Sequence, residues 1–312
     1  MISVGDQIEM GALVCPQTKA RLTRDGEFLI SEANTKYHIN SAGVPILLAE
    51  EARAELYVGG SSRMLSEYSD DAMKGWASVA RRLKAALNKD YRTRASRDAF
   101  DKVVMSSSNG DLCLSIGGGP TRRSPNLTNL NIGAFPNVDV VADAHLLPYA
   151  CATVDAIYCE AVLEHLQDPA TAVQEMFRVL KPGGKVIAIT PFMQGFHGYP
   201  YHFQNFTLLG HALLFSRAGF RVLESGACVG PTYTFVMVTS GFFVHCLPKI
   251  IGLPLGVLWK LVGACLLPLD LILGRSTRAH ILASTTYVLA EKPDPASQVQ
   301  GIVSSLSRNA CR

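Results

Sequence analysis

The sequence predicts an α/β fold: an open, mostly parallel sheet with helices on both faces. Three observations carry that prediction. From residue 111 onward, strand-like and helix-like segments alternate, the pattern of a parallel sheet whose crossovers are helical. The strand segments, DLCLSIG and KVIAITPF among them, are near-continuous apolar runs, as strands buried on both faces must be. Ahead of KVIAITPF, Lys181-Pro-Gly-Gly stops a helix, since proline cannot continue it and glycine accepts left-handed backbone.

In order, the elements begin with a β-rich stretch. Residues 13–48 (LVCPQTKARLTRDGEFLI, then TKYHINSAGVPILL) read as short strands, with Arg24-Asp-Gly-Glu as the turn between two alternating runs. Over 72–90 the period changes: Met73, Trp76, Ala80, Leu83 and Leu87 recur at three- and four-residue steps, which makes one apolar helix face. From Lys74 to Lys102 nine Lys/Arg stand against three Asp, so this is the basic part of the chain. It reads as a solvated face and linker ahead of a binding surface.

DLCLSIG, NVDVVAD and VDAIYCEA are the next strands. The last runs into EHLQDPATAVQEMFRVL, where Ala172, Met176, Val179 and Leu180 mark a helical face. KVIAITPF is a strand and LLGHALLFSRAG a helix; FRVLESG and the distant ASTTYVLAEKP close the sheet. Between those two strands lies an apolar insertion, 230–280, containing TYTFVMVTSGFFVHCL and LPLGVLWKLVGACLLPLDLIL. The second run nearly reaches the ~20 apolar residues of a membrane span, but it carries Lys260, Asp270, Pro254 and Pro268. The expected organisation is a small β-rich module (1–50), a helical basic linker (51–105), a main domain (106–292) with an apolar helical insertion before its last strand, and a flexible tail (293–312).

A formal charge of +3 over 312 residues is too small to argue for nucleic acid. The eight cysteines include no C-x-x-C pair, and several lie inside apolar strands, so they read as small buried hydrophobes in a reducing compartment. The opening MISVGDQIEMGALV has no basic region followed by an apolar one, so no signal peptide is read. The expected location is cytoplasmic, with membrane association through the insertion.

Open parallel sheets bind ligands outside the carboxyl ends of their strands. Gly117, Gly118 and Gly119 stand there, followed by Asn131, by Asp143 with Ala144, and by Cys159 with Glu160. Glycine lets backbone approach a ligand closely, and side-chain oxygens can take its hydroxyl or amino hydrogens. With IGGG, NLN, ADAHLLPY, VDAIYCEAVLEHLQDP and EMFRVLKPGGKVIAITPF in this order, the chain resembles the class I S-adenosylmethionine-dependent methyltransferases, in particular the branch with a short LPF-type motif and an EHL helix. The resemblance spans about 110–230 and 283–292. It implies a Rossmann-like methyltransferase sheet and S-adenosylmethionine as cofactor. It also implies that Gly117 and Gly119, with Gly118 between them, line the methionine end. Asn131 stands where the ribose hydroxyls are held. Asp143 would accept from the adenine amino group beside the Ala144 backbone, and Cys159 and Glu160 would flank the sulfonium. The competing reading of Asp143 is a helix or turn cap.

Three features depart from the family pattern. Ser115 stands where an acidic residue is usual. Asn131 is neutral, so it lacks the stronger charge-assisted bond to a hydroxyl. Only eleven residues separate Gly119 from Asn131, with Pro120 and Pro125 among them. A parallel crossover takes about a dozen residues, usually with a helix, so the first crossover helix is expected to be shortened or missing.

The resemblance places the acceptor site in FMQGFHGYPYHFQNFT, residues 192–207. His197 and His202 are the candidate bases there, and Tyr199 would orient the acceptor; plain aromatic packing is the alternative for each. His165 reads as a capping or packing residue of the EHL helix, and Arg122 and Arg123 as candidates to meet a carboxylate or phosphate. Cys15-Pro16, the Tyr37 strand and Gly43-Val44-Pro45 resemble a zinc-ribbon-like module found ahead of some methyltransferases. Zinc takes four ligands and one cysteine remains, so the module is expected to be metal-free, and no metal site is read elsewhere.

The strands flanking the insertion belong to one sheet, so both its ends stay on one side of any membrane. Three readings of it are open: a hairpin in a membrane interface, a lid over the acceptor, or the face of a homodimer. The expected function is methyl transfer to a small-molecule or lipid-like acceptor at a membrane. The alternatives are an RNA or protein methyltransferase, which the basic stretch favours, and a degenerate, non-catalytic binding protein of the same fold.

Overall fold

Residues 1–49, 89–106, 108, 110–197 and 201–294 are described by the computed structural model. The helix expected over 72–90 lies almost wholly outside them, as do Tyr199 and all but the first two residues of the expected tail.

The N-terminal helix α1 (Val4–Glu9) is closed at its start by a capping box between Ser3 and Asp6. Strands β1 (Leu22–Asp25), β2 (Phe28–Ser31) and β3 (Lys36–His38) form an antiparallel sheet of their own. Cys15 is buried there, its Sγ 3.1 Å from the Tyr37 hydroxyl. β4 (Ile46–Leu47) leaves this small sheet and becomes the edge strand of the large one.

The large sheet then collects β5 (Cys113–Ile116), β6 (Leu127–Asn131), β7 (Val140–Ala142), β8 (Val154–Glu160), β9 (Leu180–Pro191), β10 (Arg221–Val229) and β11 (Thr285–Glu291). Its order is β10-β11-β9-β8-β5-β6-β7-β4. Every pair from β9 to β4 is parallel, and β11 is antiparallel to both β9 and β10. This is the parallel-dominated, Rossmann-like sheet that the resemblance implies. All the parallel strands start their crossovers at one edge, so their carboxyl ends converge there.

Alternation along each strand splits the core in two. Leu114, Ile116, Ile157 and Cys159 face one layer, containing α3 (Pro169–Val179), α4 (Leu208–Arg217) and the apolar side of α1. Cys113, Ala156 and Tyr158 face the other, where α2 (Arg94–Phe100) and its continuation to Met105 lay down Ala99, Val103 and Val104. Helices therefore cover both faces.

α3 shows why the sequence folds this way locally. The Asp168 carboxylate accepts from Ala170 N and Thr171 N at the N-terminus, and Pro169 occupies the first turn, where a missing N–H costs nothing. Ala172, Val173, Met176 and Val179 are fully buried on one stripe, each Val or Met contributing about 1.5–3 kcal/mol relative to exposure. The helix ends at Val179, and Gly183 takes φ +78° in the Lys181-Pro-Gly-Gly stop.

The first crossover, from Ile116 to Leu127, contains no helix. Arg122 organises it instead. Its guanidinium donates to Leu127 O at 2.6 Å, Asn137 O at 3.2 Å and Asp139 Oδ1 at 2.8 Å, tying the crossover to the start of β6 and to the turn beyond it.

The insertion folds as a helical hairpin, α5 (Pro231–Cys246) and α6 (Lys249–Leu266). The Asp270 carboxylate, 2% exposed, accepts from Thr232 N and Tyr233 N, both at 2.9 Å, and so caps α5 from downstream in the chain. Glycines set how close the two helices lie. A Cβ on Gly252 would stand 2.1 Å from Phe243 O, one on Gly256 2.5 Å from Val244 Cγ2, and one on Gly263 2.4 Å from Val236 Cγ1. The outward faces are apolar: Ile250 is 84% exposed and Val257, Leu258 and Ile272 more than half.

Candidate active site

The glycine turn after β5 needs its glycines. Gly117 and Gly119 have φ +75° and +56°, and a Cβ on Gly117 would collide with Val162 Cγ2 at 2.0 Å. A Cβ on Gly118 would stand 2.2 Å from Asn129 Oδ1 and 2.9 Å from Ser115 Oγ. Those two side chains lie side by side on paired strands and form the floor of the turn. Asn129 Nδ2 donates to Gly119 O at 3.1 Å and Asn137 O at 2.9 Å, fixing the turn from below. Ser115 Oγ and Asn129 Oδ1 are buried and take no hydrogen bond among the described residues.

Asn131, at the end of β6, accepts from Gly133 N at 3.2 Å through Oδ1. Asp143, just past β7, is the N-cap of the short 3-10 turn Ala144–Leu146. Its contacts are those of the cap reading. Oδ1 accepts from His145 N at 2.9 Å and lies 2.8 Å from His145 Nδ1, while Oδ2 has no partner among the described residues. Burial alone would raise the Asp143 pKa, but the His145 contacts outweigh it and hold the carboxyl below its ordinary value. His145 is shifted upward, chiefly by its bond to Asp143.

β8 ends on Cys159 and Glu160. Cys159 is fully enclosed, and burial pushes its thiol well above the usual range, so it packs rather than reacts. Glu160 carries a cluster that the sequence did not announce. Arg92 bonds its Oε1, Tyr158 OH donates to Oε2, and Arg123 from the glycine turn pairs with Oε2 at 3.0 Å. Asp90 also pairs with Arg92, at 3.6 Å, so Arg123 is the guanidinium beside the glycine turn that can turn to an anionic group such as an α-carboxylate.

Beyond Glu160, the 3-10 turn Leu163–His165 carries Glu164, with 0% exposure. Burial, with the nearby Glu160 adding to it, pushes this carboxyl up to about 7. His165 Nε2 lies 3.7 Å and His197 Nε2 4.0 Å from Glu164 Oε1. His197 and His202 pack with ring centroids 4.3 Å apart. His202 is bonded at both nitrogens, accepting from His197 N at 3.1 Å and facing Asn205 Oδ1 at 2.8 Å.

The structure thus brings Gly117, Gly118, Gly119, Asn131, Asp143, Ala144, Cys159 and Glu160 to one sheet edge, with His197 and His202 on the loop beyond β9. Reading the sequence missed Arg92, Glu164 and the part His165 plays. Adjacent Glu164 and His165 after an apolar strand were visible; their meeting with a loop more than thirty residues away was not.

Residues 123–188 match a family described as "Methyltransferase domain". Among curated relatives, the ubiquinone/menaquinone biosynthesis C-methyltransferase UbiE of Klebsiella pneumoniae subsp. pneumoniae is 36% identical over 80 residues, covering 23% of this chain and 32% of that protein. The protein of the same name from Escherichia coli O1:K1 is 35% identical over the same length. The chain spans about a third of the length of these relatives. Among solved structures, the [4+2]-cyclase SpnF aligns at TM-score 0.41 and 18% identity, covering 72% of this chain and 85% of that one. Haemonchus contortus phosphoethanolamine N-methyltransferase 2, in complex with S-adenosyl-L-methionine, aligns at TM-score 0.39 and 15% identity, covering 64% and 52%.

Proposed function

We propose that this chain is an S-adenosylmethionine-dependent methyltransferase that acts on an apolar, lipid-like acceptor at a membrane surface. The carrying observation is the sheet edge itself: a glycine turn with left-handed backbone, two polar strand-end side chains and an arginine-flanked carboxylate face one region. The methyltransferase-domain match over 123–188 supports the same reading.

The residues present fit the cofactor. Asp143 stays ionised and has Oδ2 open for an adenine amino group. Asn131 offers its amide to ribose hydroxyls. The turn at Gly117, Gly118 and Gly119 lets backbone approach the methionine end, where Arg123 can exchange Glu160 for the α-carboxylate. Bound there, the cofactor supplies an electrophilic methyl group on a sulfonium. The protein's own work is then to orient the acceptor and exclude water. Where the acceptor arrives protonated, His197 is the candidate base. Its Nδ1 faces Gly195 O at 3.0 Å, and its Nε2 has no hydrogen-bond partner among the described residues. His202 positions His197, and Tyr199 is assigned to the acceptor side with them.

The apolar faces of α5 and α6 support docking at a membrane. Lys249–Leu273 is long and apolar enough to cross one, yet β10 and β11 pair in one sheet, so the hairpin must enter and leave by the same side. The relatives named for ubiquinone and menaquinone biosynthesis support an acceptor of quinone-like chemistry. Calorimetry with S-adenosylmethionine tests the core of the reading. Wild type is expected to bind, and Asp143→Ala to bind at least tenfold more weakly. No heat with wild type would leave a non-catalytic binding fold; equal binding by the variant would remove Asp143 from the adenine site.

A further inference from the structure

We propose that Glu164, His165 and His197 bind one divalent transition-metal ion, of the zinc, cobalt or iron(II) kind, beyond the carboxyl end of β8. Their ligand atoms all lie within 4.8 Å of one another. The inference rests on these side chains and does not depend on cofactor binding.

Glu164 is the first argument. Its side chain is fully buried, and neither carboxylate oxygen accepts a hydrogen bond from another described residue. A buried carboxylate without donors is costly unless a cation or a proton compensates it. Arg92 and Arg123 are already committed to Glu160. The groups that do face Glu164 are the imidazoles of His165 and His197, and His202 packs against both, so the three ring centroids lie 4.3–5.8 Å apart. Protons on all three would repel strongly, whereas one dication between two neutral rings compensates the carboxylate without that penalty.

Tautomers are the second argument. His165 Nδ1 lies 2.6 Å from Tyr201 O and His197 Nδ1 3.0 Å from Gly195 O. A carbonyl can only accept, so each ring carries its proton on Nδ1 and turns the Nε2 lone pair free. Both Nε2 atoms are the ones near Glu164 Oε1, at 3.7 and 4.0 Å. Metal-binding histidines are oriented in this way, with the second nitrogen donating to a carbonyl or carboxylate. Bonds of ~2.0–2.2 Å to a common ion require donor atoms about 3–3.5 Å apart, and the atoms here lie within 4.8 Å of one another, so closure takes an inward shift of up to about 1.3 Å. His197, on a loop and 38% exposed, can supply it.

Two nitrogens and one carboxylate select a transition metal over calcium or magnesium, which prefer all-oxygen shells. Three protein ligands leave a position open, the arrangement of catalytic rather than structural sites. If the methyltransferase reading holds, an acceptor oxygen bound to the ion would have its pKa lowered and release its proton to water, and His197 would then serve as ligand in place of base.

The test is cobalt(II) titration of the chelator-treated full-length chain, read by visible d–d absorption, with zinc as competitor. One equivalent per chain is expected, displaced by zinc. His197→Ala and Glu164→Gln should lose the bands, His202→Ala should weaken binding about 10–100-fold through the His197 backbone, and His280→Ala, a surface control, should bind as wild type. Because His197 is partly exposed on a loop, its variant should keep the wild-type circular dichroism and melting temperature, so it remains informative if Glu164→Gln fails to fold. No d–d bands with wild type, or bands unchanged in His197→Ala, would overturn the site. Calorimetry with S-adenosylmethionine on metal-free protein separates that failure from failure of the methyltransferase reading.

Discussion

Arg123 of the glycine turn pairs with Glu160 at the end of β8 across 3.0 Å, so two strand ends joined by no covalent neighbour are tied by one ion pair. Arg92 holds the other carboxylate oxygen from a different part of the chain. Burial works against the charged guanidinium of Arg92, but Glu160 outweighs it and keeps its pKa raised.

The two arginines should therefore behave differently. Glu160→Ala leaves Arg92 charged, with only the more distant Asp90 carboxylate, at 3.6 Å, as ionic partner among the described residues. The expected loss is about 2 kcal/mol, below the ~3–5 of a fully buried pair because the Arg92 and Glu160 side chains keep 25% and 18% of their exposure. Arg123 is 44% exposed, so Arg123→Ala should cost less than about 1 kcal/mol in stability. Its effect should fall on cofactor affinity, about tenfold in Kd, as expected for one charge-assisted hydrogen bond. Urea unfolding and calorimetry on both variants check this. Equal stability losses would mean that Arg123, not Arg92, is the structural partner.

Much of this architecture was legible in the sequence, and the reasons are local. The Asp168-Pro169 start and Lys181-Pro-Gly-Gly stop of α3 are chemistry within a few residues, so reading them needs no tertiary knowledge. The missing first crossover helix was legible too, because two prolines in a short connection rule it out. What replaced it was not: Arg122 reaches Asn137 and Asp139, contacts that only the fold creates. The same applies to β4, which reads as part of the small N-terminal sheet but pairs with β7 through just two residues. Glu164 lies in the segment read as helical, and groups that close over it, His197, Phe203 and Gln204, stand more than thirty residues on in the chain.

Substitutions in the glycine turn should rank by what a Cβ meets. Gly119→Ala meets nothing within 4 Å and suffers only from φ +56°, about 1–2 kcal/mol. Gly118→Ala has ordinary backbone but drives into Asn129 and Ser115, an overpacking cost of about 1–3 kcal/mol. Gly117→Ala has both faults and should be the least stable of the three. Melting temperatures give the order. A Gly117 variant as stable as the Gly119 variant would show that Val162 yields freely.

The Asp143–His145 pair sets a pH window. Asp143 is lowered in the folded chain, so its contribution is present above its ordinary value of 3.8 and is lost as pH falls through the folded value. His145 is raised, so its contribution is complete below its ordinary value of 6.5 and is lost as pH rises through the folded value. The stability difference between wild type and Asp143→Asn should therefore be largest near pH 5 and shrink by pH 8. In the same variant, the His145 ring should titrate at a lower pH by NMR. A difference that stays flat from pH 5 to 8 would mean the two side chains do not interact in solution.

The hairpin gives the last prediction. Aliphatic side chains such as Ile250 and Leu258, held largely exposed, leave roughly 1.5–3 kcal/mol each unrealised in water. Packing α6 onto α5 through Gly252 and Gly256 does not recover it, because those glycines face inward and the aliphatic residues outward. A bilayer interface would recover it, with Lys249 at the turn available to lipid phosphates. The full chain should therefore float with vesicles of mixed zwitterionic and anionic phospholipid, and Ile250→Glu combined with Leu258→Glu should remain in the soluble fraction with an unchanged melting temperature. Gly252→Ala tests the hairpin separately: its Cβ would meet the Phe243 carbonyl at 2.1 Å, so the helices must part and the protein should melt earlier. If wild type stays soluble with vesicles present but is a dimer by light scattering, and the double glutamate variant is a monomer, the apolar faces cover each other rather than a membrane.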